Sequence, residues 1–139
     1  MPGTVGVMID NLKGTATFTS WDEVPGYGGD APVPRVARAT VEFAFEGDIV
    51  GASTCQFAMY YASAGEGTGV GIELLRATVD GEEGTLALRS EIAFAGAVDV
   101  AWTVVPGSGT GAFAGFEGSG GYHAEPHATT WDWRLDREG

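Results

Sequence analysis

Apolar and polar residues alternate along most of the chain, and this alternation predicts β-strands. The clearest case is 35–46, where Ala37, Val41 and Phe45 fall on one face and Arg38 and Glu42 on the other. Such a strand places one face against a core and the other in water. The same alternation predicts seven more strands, at 12–21, 49–62, 70–79, 84–95, 97–105, 118–125 and 127–136.

Turn-forming residues separate these strands, among them Gly47-Asp48, Gly65 to Gly69 and Asp80-Gly81. Strands with short, regularly spaced connections are typical of an antiparallel sandwich or barrel. We favour the barrel because closure removes edge strands, and these strands carry few features that would protect an edge. The 139 residues are therefore predicted to form a single all-β domain, 1–139, folded as an antiparallel eight-stranded barrel.

Two segments depart from the strand pattern. Residues 22–34 hold three prolines and three glycines, which predicts a long loop. We expect this loop to lie over one barrel mouth, with Tyr27 plugging the opening, because antiparallel neighbours need only about two to five residues to connect. The alternative is a floppy connection. The glycine-rich stretch 106–121 predicts a corner whose short helical turn, 112–116, closes part of one barrel end.

Charge and composition exclude several classes of function. The net charge is −12 and the seven basic residues do not cluster, so neither nucleic-acid binding nor binding to an anionic membrane surface is expected. Cys55 is the single cysteine, which rules out an internal disulfide and favours a buried, inert thiol. No leader pattern or membrane-length apolar run occurs, so we expect a cytoplasmic protein, with a homo-oligomer left open.

Glu73 is the candidate catalytic residue. Residues three apart on a regular strand face opposite ways, so one of Glu73 and Arg76 should face inward, and we favour Glu73. A carboxyl group inside an apolar barrel would have a raised pKa and can act as a general acid or base. The alternative is a structural carboxylate that is hydrogen-bonded to a buried partner.

Inward-facing aromatic and apolar residues are the candidates for binding a small apolar ligand, because ligand pockets are mostly apolar with few polar groups. Of the adjacent Tyr60 and Tyr61 only one can point inward. The alternative for every candidate is plain core packing. The candidate substrate-binding residues are Phe57, Met59, Tyr61, Trp102, Trp131 and Trp133, with Tyr27 from the loop.

Two further patterns are weak. His123, Glu125 and His127 recur at every second residue, as a zinc triad on a strand would, but Pro126 interrupts the strand and favours a turn. Residues 109–114 fit G-x-G-x-x-A, yet the helix and βαβ unit of a dinucleotide site are missing. We therefore expect neither a metal nor a nucleotide cofactor.

Three stretches together resemble a family of small bacterial proteins of unknown function that share the allene oxide cyclase-like barrel. They are TATFTSWDE at 15–23, GIE at 71–73 and WTVVPGSGTG at 102–111. The resemblance spans roughly Thr15 to Leu135 and implies the same barrel. Named proteins with that fold are cofactor-free cyclases and isomerases, and some similar barrels act in bacterial natural-product cyclisation. Ser90 stands near a position where members of the family often carry a histidine.

These features predict a barrel that encloses a small apolar molecule and promotes a cofactor-free cyclisation or isomerisation of a natural-product-like substrate. Confinement of the substrate and one polar group would supply the catalysis. The alternative is a non-catalytic ligand-binding or structural barrel. A cavity of a few hundred Å³ favours the first function and a filled core the second.

Overall fold

The computed structural model describes residues 10–25 and 32–138, which form nine β-strands. In chain order they are β1 (Asn11–Val24), β2 (Arg35–Gly47), β3 (Val50–Ser63), β4 (Glu66–Val79), β5 (Glu82–Ala95), β6 (Ala97–Val104), the short β7 (Thr110–Gly111), β8 (Gly118–Ala124) and β9 (Trp131–Arg137). The order β4-β3-β2-β1-β9-β8-β6-β5 is antiparallel throughout, and β4 also pairs with β5, which closes the sheet. The predicted antiparallel eight-stranded barrel is thereby confirmed. Within these residues no helix is long and apolar enough to cross a membrane.

The core lies inside the barrel and follows directly from the alternation in each strand. On β3, Phe57, Met59 and Tyr61 are buried, whereas Ala58 and Tyr60 between them are exposed. The inward residues of all eight long strands form one hydrophobic cluster. Each large apolar side chain buried there contributes about 1.5–3 kcal/mol to stability.

One end of the barrel, which we call the closed end, is covered by the corner between β7 and β8. Phe113 and Phe116 are fully buried there, with ring centroids 6.4 Å apart in an edge-to-face arrangement. The corner is a series of hydrogen-bonded turns rather than a helix, with Phe113 N 3.0 Å from Thr110 O and Phe116 N 2.9 Å from Phe113 O. Gly115 has φ +76, a conformation that favours glycine.

The opposite end, the mouth, is where β1 ends and β2 begins. Strand β1 pairs with β9 only as far as Ala16 and then continues beside β2 to Val24. The wall of the barrel is therefore taller on the side of β1 and β2, and the residues after Ala16 stand above the level at which β9 starts.

Three predicted boundaries are wrong. The loop predicted at 22–34 is shorter, because β1 continues to Val24, and the predicted plug Tyr27 lies outside the described residues. The turn predicted from Gly65 to Gly69 is mostly strand, since β4 begins at Glu66. The last strand starts at Trp131 rather than His127, because His127 has φ +65 and Ala128 N bonds Glu125 O at 3.0 Å in a turn.

Candidate functional site

A pocket of about 200 Å³ opens at the mouth of the barrel, and we call it the mouth pocket. Its walls come from inward or rim positions of four strands, β1, β3, β5 and β6. Most of its surface is aliphatic or aromatic, and the polar groups of its side chains are a carboxylate, a phenol hydroxyl and an indole N–H. The lining residues are Trp21, Glu23, Met59, Tyr61, Ile92, Phe94 and Val98.

A β-bulge in β1 explains why Glu23 faces the pocket. Phe18 pairs with Phe43 and Ser20 pairs with Glu42, so Thr19 is an extra residue in β1. Side chains alternate along a strand, and one extra residue reverses the faces of every position that follows it. Before the bulge the buried Ala16 has an even residue number, and after the bulge the buried Glu23 has an odd one. The inward-facing positions have therefore changed from even to odd numbers.

Small residues on β2 make room for the side chains that the bulge turns inward. Glu23 lies opposite Ala39, and Trp21 lies two residues closer to the bulge. The Trp21 ring passes over this part of β2 and stacks on Phe57 of β3, with centroids 6.4 Å apart and an interplanar angle of 24°. Trp21 therefore forms a wall between the pocket and solvent.

Glu23 is the centre of a polar group that we call the mouth cluster: Trp21, Glu23, Arg35 and Tyr61. The Tyr61 hydroxyl donates to Glu23 Oε1 at 2.8 Å and the Trp21 indole N–H donates to the same oxygen at 3.1 Å. Arg35 donates to Glu23 Oε2 at 3.2 Å, and the side chains of Arg35 and Glu23 are only 9% and 3% exposed. The Arg35 guanidinium also lies 4.4 Å from the centre of the Tyr61 ring.

The mouth cluster is electrically balanced, because one buried carboxylate faces one buried guanidinium. A buried charge is tolerated only when it is paired and hydrogen-bonded, and here both oxygens of Glu23 accept hydrogen bonds. Among the residues that the structure describes, the pocket therefore presents a mainly apolar surface with one polar corner of no net charge.

The predicted catalytic residue Glu73 faces the interior, and Arg76 is exposed. Ser53 Oγ donates to Glu73 Oε2 at 2.6 Å, and Ser90 Oγ lies 3.4 Å from Oε1. Burial raises the pKa of Glu73 to about 7, while hydrogen bonds from the two serines oppose part of that shift. The Trp102 indole N–H also lowers the pKa of Glu73, since it favours the charged carboxylate. Its Nε1 is buried and has no hydrogen-bond partner among the described residues.

Two more titratable groups surround Glu73. Cys55 lies directly opposite Glu73 on β3, and burial, with the Glu73 charge second, raises the pKa of its thiol far above the usual range. Burial also raises the pKa of Tyr122, again with the charge of Glu73 as the next cause. Each group is therefore held in its neutral form, and Cys55 is a buried free thiol, as the sequence predicted.

Glu73 does not line the mouth pocket. The pocket residues Met59 and Ile92 both lie opposite Gly69 of β4, whereas Glu73 is four residues further along the same strand. At about 3.3 Å per residue, that separation is about 13 Å. The carboxyl group suited to contact a ligand at the mouth is therefore Glu23.

The predicted substrate-binding residues divide between two regions. Met59 and Tyr61 line the mouth pocket, and Phe57 contacts its wall through Trp21. The three tryptophans pack on the other side of the interior, in a cluster with Tyr122, Phe43 and Phe45. There the Trp133 indole donates to Thr15 O at 3.0 Å. Tyr27 lies outside the described residues.

Sequence reasoning missed Trp21, Glu23 and Arg35. Trp21 and Glu23 were assigned to the end of a strand and to a loop, and simple alternation from Ala16 would have turned both outward. The available signal in the sequence was the order of these residues: Trp21 and Glu23 precede a proline-rich segment, and Arg35 follows it. Nothing in that order locates the bulge.

The histidine pattern does not form a metal site in the described part of the chain. His123 Nδ1 lies 2.6 Å from Asp99 and Nε2 lies 3.0 Å from Glu125, while His127 belongs to the following turn. These hydrogen bonds raise the pKa of His123. Among the described residues no group of three or more possible ligands is arranged to hold a metal ion.

Comparison with known proteins places this barrel in a family. A family model described as a protein of unknown function, DUF3224, matches residues 12–135. The chain belongs to the DUF3224 family. A crystal structure of a DUF3224 protein of unknown function from Shewanella oneidensis MR-1 is similar to it, with 18% sequence identity and a TM-score of 0.71. The match covers 93% of this chain and 98% of that one. No curated protein matches.

Proposed function

We propose that this DUF3224 barrel binds a small, neutral, mainly apolar molecule in the mouth pocket. The observation that carries the proposal is the combination of apolar walls with a single polar corner whose charges are already balanced. Small-molecule sites have this character: mostly apolar surface with a few fixed polar groups that orient the ligand.

The volume of the pocket limits the size of the ligand. A cavity of about 150 Å³ in another protein holds benzene, and drug-sized ligands occupy about 300–1,000 Å³. At about 200 Å³, the mouth pocket suits a substituted six-membered ring. Larger natural-product-like molecules would have to extend beyond the mouth.

The mouth cluster limits the charge of the ligand. Glu23 is neutralised by Arg35, so a carboxylate or ammonium group on the ligand would be desolvated with no free counter-charge in the described part of the pocket. A hydroxyl or N–H group can instead donate to the oxygen of Tyr61 or Glu23. A neutral ligand with one hydrogen-bond donor fits this arrangement best.

The catalytic form of the proposal is a cofactor-free isomerisation or cyclisation of the bound molecule. It is supported by the resemblance to allene oxide cyclase-like barrels and by the Tyr61–Glu23 hydrogen bond of 2.8 Å beside the pocket. In an isomerisation, Glu23 would remove a proton from one carbon and return it to another, while the Tyr61 hydroxyl would turn from Glu23 and donate to the substrate oxygen. The acid–base role predicted for Glu73 requires a substrate that reaches about 13 Å deeper. The alternative remains a barrel that binds without catalysis.

Three probes that share one ring test the binding proposal by calorimetry: benzyl alcohol, benzoate and benzylammonium. With eight non-hydrogen atoms, benzyl alcohol should bind with a Kd of roughly 1 mM, and the two ions should bind at least roughly tenfold more weakly. Val98→Trp, which fills the pocket, should abolish binding, whereas Val50→Trp on the outer surface should not. Equal affinity for the three probes, or undiminished binding to Val98→Trp, would refute the proposal.

The catalytic form has its own test with 3-cyclohexen-1-one. Removal of a proton from C2 and its return to C4 converts this ketone into 2-cyclohexen-1-one, which absorbs in the ultraviolet. We expect the protein to accelerate the conversion, Glu23→Gln to abolish the acceleration and Glu73→Gln to retain it. Acceleration that depends on Glu73 alone would reverse the assignment, and no acceleration would leave only the non-catalytic form.

A further inference from the structure

The middle of the outer surface of β3 and β4, over residues 54–58 and 70–74, is an exposed, uncharged face in a strongly acidic chain. We call it the β3–β4 face, and at its centre Val70, Ile72 and Leu74 are 58%, 50% and 40% exposed. Their neighbours across the pairing with β3 are Ala58, Gln56 and Thr54. None of these six residues carries a charge, although the chain has 19 acidic residues.

Charges of both signs border this face. On the β2 side, Arg38 lies beside Ala58 and Glu42 lies beside Thr54. On the β5 side, Glu91 lies beside Val70 and Arg89 lies beside Ile72. These two sides of the border therefore have two basic and two acidic residues, and Arg76 is exposed at the end of the face, two residues beyond Leu74 on β4. The whole chain has a net charge of −12.

The arginines of the border are available to a partner. Among the described residues, the salt bridges involve Arg35, Arg134 and His123 but neither Arg38 nor Arg89. Both arginines are exposed, and so are Glu42 and Glu91. A surface with this border can form ion pairs with its own copy, because a two-fold axis places each border opposite a border of the same composition.

We infer that the β3–β4 face is the interface of a homodimer. Two copies with a net charge of −12 repel each other through most orientations, and this face allows contact without bringing acidic surfaces together. The apolar centre of the face buries hydrophobic surface in the dimer, and ion pairs between the mixed borders fix how the two copies are aligned. Nucleic acid is disfavoured because two glutamates lie among the arginines around the face and the chain is acidic.

The size of the face indicates a weak dimer. Stable interfaces bury about 1,200–2,000 Å² in total, with about 20–30 residues on each side. The six central and four border residues are fewer than that, so the contact must extend towards Tyr60 and Val36, which are 48% and 72% exposed. We expect a dimer with a Kd in roughly the micromolar range.

Sedimentation equilibrium of the full chain and two variants tests the inference. The wild type should approach twice the chain mass of 14.4 kDa as concentration rises. Ile72→Lys should remain monomeric, whereas Val50→Lys should dimerise like the wild type. Val50 is a matched control, because it is an exposed apolar residue on the outside of β3, opposite Thr78 and so away from Ile72. A wild type that stays monomeric up to about 1 mM, or an Ile72→Lys variant that still dimerises, would overturn the inference.

A crosslinking experiment keeps the inference testable if Ile72→Lys does not fold. Ile72→Cys changes one exposed side chain, and the native Cys55 is fully buried. A disulfide requires the two Cα atoms to lie within about 7 Å, so mild oxidation should link Ile72→Cys chains only if a two-fold axis passes near this position. Val50→Cys should not crosslink. Equal crosslinking of the two variants would contradict the proposed interface.

Discussion

Glu73 retains its proton to higher pH in the folded barrel than in the unfolded chain, because burial disfavours the charged carboxylate more than the two serines stabilise it. Its pKa rises from 4.5 to about 7. Between these values the folded state binds more protons than the unfolded state, so stability decreases as pH rises. The stabilisation is complete below pH 4.5 and is lost by about pH 7. Its size is on the order of 3 kcal/mol.

Glu73→Gln removes this titration and should flatten the pH dependence of the free energy of unfolding, measured with urea. Glu42→Gln makes the same chemical change at an exposed position and should leave the dependence as it is. His123, whose pKa is also raised, contributes a loss of stability in the same direction, so the difference between Glu73→Gln and wild type isolates Glu73. Identical slopes for these two proteins would contradict the role of burial.

Loss of the Tyr61 hydroxyl should weaken the barrel less than loss of the Glu23 carboxylate. Tyr61→Phe removes one hydrogen bond to a charged group and should cost about 1.5–3 kcal/mol. Glu23→Ala leaves Arg35 enclosed without its carboxylate and should cost about 3–5 kcal/mol. Urea denaturation of both variants measures the order, and a larger cost for Tyr61→Phe would mean that the mouth cluster is not organised around Glu23.

These residues also mark what alternation can and cannot predict. The sequence predicted that one of Glu73 and Arg76 faces inward, because they are three residues apart, and the structure places Glu73 in the buried series with Leu75, Ala77 and Val79 on β4. Glu23 was missed because the inward-facing positions on β1 change from even to odd residue numbers at the bulge residue Thr19. A bulge is a property of two paired strands, so one strand's sequence does not disclose it.

At the scale of elements, the bulge gives a prediction that separates two single-residue deletions in β1. Deleting Thr19 removes the extra residue and leaves Glu23 opposite Ala39, so the mouth cluster should persist. Deleting Asp22 instead places Glu23 opposite Thr40, an outward position, and the cluster should be lost. Benzyl alcohol binding should survive the first deletion and disappear in the second. Equal effects would show that the bulge does not set the orientation of Glu23.

The corner between β7 and β8 should be a major source of stability. Phe113 is fully buried at the closed end, so Phe113→Ala should cost about 3–5 kcal/mol by creating a cavity. Phe18→Ala is a matched control, because Phe18 is 46% exposed and its truncation should lower the free energy of unfolding much less. Thermal or urea unfolding measures the difference, and similar costs would mean that the corner is not packed as described.

The strands themselves were largely predictable because their apolar positions repeat with period two. The ends of the strands were not predictable, because residues that favour turns, such as glycine, also occur inside strands. Glycines at 67 and 69 suggested a turn, yet both lie in β4 opposite Tyr61 and Met59, whose side chains occupy the space that a Cβ would need. Such glycines serve close packing rather than chain reversal.

At the scale of the whole molecule, the barrel was predictable and the mouth pocket was not. Met59 and Tyr61 were placed inward by alternation, but their meeting with Ile92, Phe94 and Val98 depends on the closure of the sheet between β4 and β5. That closure and the path of β1 beyond Ala16 set which inward residues surround a pocket and which are packed in the core.

Ligand binding at the mouth is tested most sharply by a methyl NMR titration of the protein with benzyl alcohol. We predict shift changes concentrated in the methyl groups of Met59, Ile92 and Val98, which line the mouth pocket, and none at Leu86 and Leu88, which are buried on β5 outside it. Changes that centre on the core leucines, or no changes at concentrations of about 10 mM, well above the expected Kd, would contradict ligand binding at the mouth.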